Sequence, residues 1–277
     1  MLKQRVITAL VLAPLLLALI FLPRASVFAT LLGLIFLAGM WEWTRMAGAR
    51  GHGLRALLLL GYAILFGIFW HVCKSPWWWL PVLAGLLWWL LALVWLTRHA
   101  FAALPTRGHA ILKLLAGILV VLPAWCALVV MRGDMAKPDT GHGHWWVLFF
   151  ACIVIAADIG AYSAGRRWGR NKLAPAISPG KTREGVYGAL ACSGIVGLVG
   201  GAWLKVPVER LPAIVALALL TVLFSVVGDL FESLIKRHAG VKDSGALFPG
   251  HGGMFDRMDS IVAALPIFVL GKFLLGL

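Results

Sequence analysis

Apolar runs long enough to cross a bilayer follow one another along almost the whole chain, and that pattern leaves few folds open. A crossing takes about 20 mainly apolar residues, and within hydrocarbon an α-helix pairs every backbone N–H and C=O inside its own segment. Runs of that kind lie near 6–22, 27–44, 54–72, 77–97, 111–131, 145–164, 186–204, 211–235 and 258–276. The expected fold is therefore an all-α polytopic membrane protein with about nine transmembrane helices. Hydrophobic residues are 61% of the 277 and charged ones 13%, against about a quarter charged in soluble domains. No stretch is left over for a separate soluble domain. Residues 1–140 read as about five N-terminal helices, and 141–277 as about four more with cytoplasmic loops between them.

The first run follows Lys3 and Arg5 and imitates a signal peptide, with Ala25-Ser26-Val27 weakly compatible with cleavage. At about 17 residues it is just long enough to span, which favours a retained helix. With the N-terminus in the cytoplasm, 18 Lys and Arg fall inside and seven outside. That bias follows the positive-inside rule and puts the C-terminus outside. It also accounts for the net charge of +14: the cations sit in short loops beside anionic headgroups, with no basic stripe on a soluble face, so nucleic acid is not an expected partner. Trp77, Trp78 and Trp79, and Trp145 and Trp146, open helices at the predicted outer interface and read as membrane anchors. The four cysteines, Cys73, Cys126, Cys152 and Cys192, are widely spaced in or beside apolar runs and suggest neither a disulfide framework nor a zinc site.

Only eleven residues are acidic, so their positions are informative. Ionisable groups in membrane helices are costly and mark candidate sites: here Glu42, Asp158, Asp229, Glu232, Asp256 and Asp259. In the eighth run Asp229, Glu232, Ser233 and Lys236 are spaced i, i+3, i+4 and i+7 and share one helix face. Glu232 either pairs with Lys236 one turn on or joins a site. Asp229 has no cation one turn away and needs a metal ion or another helix's cation. Asp256 and Asp259 are also i, i+3 and follow Gly252-Gly253, which can turn tightly or approach a ligand. Two such carboxylates either flank a cation, with Mg²⁺ suited to hard oxygen ligands, or are N-terminal helix charges. His251 is a general base or a loop-packing residue.

The third cluster runs from Asp158 through Arg166, Arg167, Arg170 and Lys172 to Ser178-Pro179-Gly180-Lys181-Thr182-Arg183, with six cations in eighteen residues. Arg offers phosphate a planar fork and Lys a point charge. The Ser-Pro-Gly-Lys-Thr segment lacks the first glycine and preceding strand of a P-loop and is not one. All three clusters fall on the same predicted side of the membrane. Carboxylates for a divalent ion, cations for phosphates and glycine turns together describe a phosphoryl- or nucleotidyl-transfer site.

The stretch Ser233…Lys236-Arg237…Lys242-Asp243…Pro249-Gly250-His251-Gly252-Gly253…Asp256-Arg257-Met258-Asp259 resembles the signature of the phosphatidate cytidylyltransferases, also called CDP-diacylglycerol synthases. Asp158…Tyr162…Gly165-Arg166 and Ser178-Pro179…Lys181-Thr182…Glu184-Gly185 resemble that family's upstream block, with Arg183 where an aromatic is expected. The likeness is specific over about the last 130 residues; residues 1–140 match only as a generic bundle. It implies the reaction of CTP with phosphatidate to CDP-diacylglycerol and pyrophosphate at the cytoplasmic face of an inner membrane, requiring Mg²⁺ and suggesting a second cation such as K⁺, with a homodimer possible. By the same resemblance, Asp229, Asp256 and Asp259 are metal ligands and, with Lys236, catalytic. Arg237, Lys242, His251, Gly252, Gly253 and Arg257 bind substrate, and Arg166, Ser178 and Lys181 close the site from the other loop.

Two other classes compete. An ion-coupled transporter also uses intramembrane carboxylates, but near the midplane of interrupted helices or inverted repeats, and no half-to-half repeat is visible here. A scaffold needs no paired aspartates. Within enzymes, the nearest rival is a CDP-alcohol phosphotransferase, whose aspartate spacing after an Asp-Gly pair is absent.

Overall fold

A computed structural model describes residues 13–133, 142–247 and 252–277. Residues 13–21 are helical, and eight full helices follow: α1 (Ala25–Met46), α2 (His52–Cys73), α3 (Trp79–Thr97), α4 (Arg107–Gly133), α5 (Gly143–Trp168), α6 (Arg183–Trp203), α7 (Leu211–His238) and α8 (Phe255–Leu274). Seven of these, α1 to α7, are long and apolar enough to cross a membrane among the described residues. The expected count of nine is thus met only in part. The first run lies partly outside the described residues. The last, α8, carries Asp256, Arg257, Asp259 and Lys272, which lower its hydropathy although its middle is buried in the bundle.

The all-α expectation also needs one amendment. Between α5 and α6 the chain forms a small antiparallel hairpin, β1 (Lys172–Ala174) and β2 (Ser178–Thr182), with Lys172 opposite Thr182 and Ala174 opposite Ser178. Ser178-Pro179-Gly180-Lys181-Thr182 is one of its strands. Thr182 then caps α6, its Oγ1 accepting from the Gly185 amide at 3.2 Å. Glu184, in the first turn of α6, accepts from the backbone amides of Arg170 and Asn171 and from Asn171 Nδ2. The hairpin is therefore tied down at both ends.

α2 is the most lipid-facing span, with 17% of its apolar window buried, whereas α4 is central at 78%. The aromatic core sits around Phe231 of α7, whose ring is flanked by Trp43, Trp88, Trp89 and Trp95. With that side of α7 packed on α1 and α3, its polar face turns toward α8 and the hairpin. Of the tryptophans expected as anchors, Trp77 is exposed, but Trp78 and Trp146 are buried against Phe273 and against Phe149 and Phe268.

The α7–α8 crossing decides where the acidic residues meet. A Cβ at Gly228 would overlap the carbonyl oxygen of Asp259 and crowd Ala263 Cβ, so only glycine lets these helices approach so closely. Gly228→Ala is expected to destabilise the fold by about 1–3 kcal/mol through overpacking, read as a lower unfolding midpoint in detergent. An unchanged midpoint would mean that the crossing is looser than described.

Candidate active site

Asp229 and Glu232 lie one turn apart on α7, and the contact at Gly228 brings Asp259 of α8 beside them. One ligand oxygen from each of Asp229, Glu232 and Asp259 lies within 4.8 Å of the other two. Glu232 is 1% and Asp259 9% exposed. Carboxylates so close repel unless a cation or proton stands among them. Lys236 Nζ donates to Glu232 Oε2 at 2.6 Å, and Glu232 Oε1 is buried with no hydrogen-bond partner among the described residues. An acidic cluster containing an unsatisfied buried acceptor has the chemistry of a divalent-cation site with hard oxygen ligands.

Asp256 stands outside that trio of oxygens but next to Glu232, with which it shares Lys236. Its Oδ1 accepts from Lys236 Nζ at 2.7 Å, and its Oδ2 accepts from the amides of Gly253 (2.7 Å) and Ser244 (3.0 Å). Spacing along the helix put Asp256 and Asp259 on one face. In the folded chain Asp256 stands one turn nearer the start of α8, opposite Lys236, which holds it there. Glu232 takes the third place in the acidic cluster.

Lys181 forms an ion pair with Asp229, so the hairpin reaches the cluster from the α5–α6 side. A cleft of about 510 Å³ opens there, lined by Asp158, Tyr162, Arg166, Gly180, Lys181, Asp229 and Ser260 among others. Arg166 Nη1 donates to Tyr162 Oη at 2.8 Å, which steers the exposed guanidinium along the rim. A second, mainly apolar cavity of about 320 Å³ lies on the far side of Asp158 and Ser260, which line both. Its walls include Leu19, Phe28, Leu32, Phe150 and Val154, and it ends on Asp256, Arg257 and Asp259.

The other expected site residues fall around this centre. Arg237 Nε donates to the Ile177 carbonyl at 3.2 Å and so holds the tip of the hairpin, next to half-buried Ser178. Lys242 and Arg257 are exposed. Gly252 has φ +85°, a conformation suited to glycine, and Gly253 lends its amide to Asp256. His251 lies outside the described residues. Glu232, weighed from spacing as either a packing partner or a site residue, pairs with Lys236 and also stands beside Asp229 and Asp259.

Closely spaced carboxylates, neighbouring cations and two adjoining cavities, in a bundle of helices apolar enough to cross a membrane, are what a membrane-embedded transferase would need. The chain belongs to the cytidylyltransferase family, which matches residues 3–274, and it is an enzyme of that type. It is 39% identical to the phosphatidate cytidylyltransferase of Pseudomonas aeruginosa over 97% of this chain and 96% of that one. With the phosphatidate cytidylyltransferase of Haemophilus influenzae the identity is 34% over 97% of both chains. The protein of the same name from Mycobacterium bovis is 38% identical over 60% of this chain and 53% of its own length. The family likeness thus extends through the N-terminal helices and is not confined to the C-terminal motifs.

Proposed function

We propose that the protein transfers the cytidylyl group of CTP to phosphatidate, giving CDP-diacylglycerol and pyrophosphate, at the cytoplasmic face of an inner membrane with its N-terminus inside. The observation that carries this reading is the junction of the two cavities at Asp158 and Ser260 beside the acidic cluster. The first cleft, with Arg166 and Lys181, suits a triphosphate, and the more apolar one suits acyl chains whose phosphate ends beside Arg257. The names of the full-length relatives support the same substrates, and the excess of cations in the loops on the site's side supports the orientation.

Asp229, Glu232 and Asp259 would hold Mg²⁺. When bound, the ion supplies Lewis-acid polarisation and charge neutralisation for phosphate oxygens. Lys181 and Arg166 offset the charge of the nucleotide's phosphates, and Arg257 that of the lipid phosphate. A phosphatidate oxygen attacks the α-phosphorus of CTP in line; the new P–O bond forms as the bond to the β-phosphate bridging oxygen breaks, and pyrophosphate leaves with that electron pair. The attacking oxygen is already anionic, so the protein needs no strong base. Its task is to hold two polyanions together and aligned. Lys236 fixes Asp256 and one oxygen of Glu232, leaving the other Glu232 oxygen for the cation.

Purified protein incubated with α-labelled CTP, phosphatidate and Mg²⁺ should pass the label into a chloroform-soluble lipid, with release of unlabelled pyrophosphate. No labelled lipid, together with ion flux through reconstituted vesicles, would turn the reading to a transporter.

A further inference from the structure

Buried Glu42, on α1, takes no part in the chemistry above, yet its carboxylate organises the segment that carries Asp256. Oε2 accepts from Ser244 Oγ at 2.8 Å and from the Phe255 amide at 2.9 Å, and Oε1 accepts from the Met254 amide at 3.0 Å. Those two amides open α8, where Met254 itself supplies no side-chain cap. A carboxylate from a helix some 210 residues earlier therefore caps α8 and complements the positive end of its dipole. Gly245 and Gly253 make room for it, since a Cβ at either would overlap the carboxylate. One turn along α1, Arg45 Nη2 donates to the Ser244 carbonyl at 2.6 Å.

Ser244 passes this constraint on. Its amide donates to Asp256 Oδ2 at 3.0 Å, and its Oγ accepts from the Asp256 amide at 3.2 Å. Asp256 in turn holds Lys236, and Lys236 holds Glu232. The contacts thus run unbroken from α1 to the acidic cluster.

We infer that Glu42 is a positioning residue: it locks Ser244 and the start of α8 to α1 and so sets where Asp256 and Lys236 stand for the transfer reaction. This rests on the site reading above. Glu42→Gln keeps the side-chain shape but removes the charge and turns one acceptor into a donor facing backbone N–H groups. Its kcat should fall about 10- to 100-fold, the scale of a small misplacement of reacting groups, while KM for CTP changes by less than about threefold. In an Asp256→Asn background the same substitution should cost less than about twofold more, because both act through one chain of contacts. Hydrogen exchange should quicken at Ser244 and at Met254 to Asp256, and stay unchanged in the other helices.

Exchange is read without turnover. If the wild-type protein makes no labelled lipid, the reading of the reaction fails while the role of Glu42 is still tested. If Glu42→Gln does not fold, Ser244→Ala, which deletes the relaying hydroxyl, carries the same expectations. Penalties that multiply in the double variant, exchange that quickens throughout the bundle, or exchange and kcat that do not change would each overturn the inference.

Discussion

Asp259→Asn is expected to lower turnover by at least about 100-fold, the scale seen when one electrostatic contact to a transition state is removed. Asp259 is 9% exposed and stands with Asp229 and Glu232 where the two helices cross. The amide keeps the size of the side chain but loses the charge and one of its two acceptor oxygens. Because Gly228 already sets the backbone contact, the fold should survive, and the loss should appear in kcat and in the Mg²⁺ concentration for half-maximal rate. Arg107→Ala, at the exposed start of α4, should stay close to neutral in the same assay. Near-normal turnover of purified Asp259→Asn protein would remove this residue from the cation site.

Lys236→Met should act on stability as well as on rate. The ammonium lies between Glu232 Oε2 and Asp256 Oδ1, at 2.6 and 2.7 Å, and all three side chains are largely buried. Removing one partner of a buried ionic group leaves uncompensated charge, typically at a cost of about 3–5 kcal/mol. A marked drop in the unfolding midpoint is expected, with activity lost in whatever remains folded. Adding Glu232→Gln should restore part of the midpoint, since it removes one of the stranded charges, and should leave activity lost. If Lys236→Met unfolds like the wild type, the three groups are better solvated than the structure indicates.

Most of the bundle was legible because hydrocarbon imposes length and polarity on each segment directly. The run at 27–44 is α1 at Ala25–Met46, and 211–235 is α7 at Leu211–His238. The hairpin was not legible: β1 has three residues, and its pairing depends on α5 and α6 returning the chain to the same place. The difference between Asp256 and Glu232 was hidden for a related reason. Each belongs to an i, i+3 pair of carboxylates, and helical spacing treats the two pairs alike. Two contacts between helices arrange them: Gly228 admits Asp259 to α7, and Lys236 ties Asp256 to Glu232.

Glu42 stood out as an acid in an apolar run, yet its partners lie some 200 residues away, so no local pattern could assign them. Glu184 was noticed only through the family motif, although it is what fastens the loop before the hairpin. The match to the Pseudomonas relative spans 97% of the chain and so takes in the N-terminal helices as well as the site.

The proposed reaction requires above all that one divalent ion bind among Asp229, Glu232 and Asp259. Mn²⁺ can stand in for Mg²⁺, and the loss of its free electron paramagnetic resonance signal counts bound ions directly. Titrated into purified protein with CTP, Mn²⁺ should fill a site in each wild-type chain that is absent from the Asp229→Asn, Glu232→Gln, Asp259→Asn triple variant. Equal binding by the folded triple variant would place the ion elsewhere and contradict the assignment.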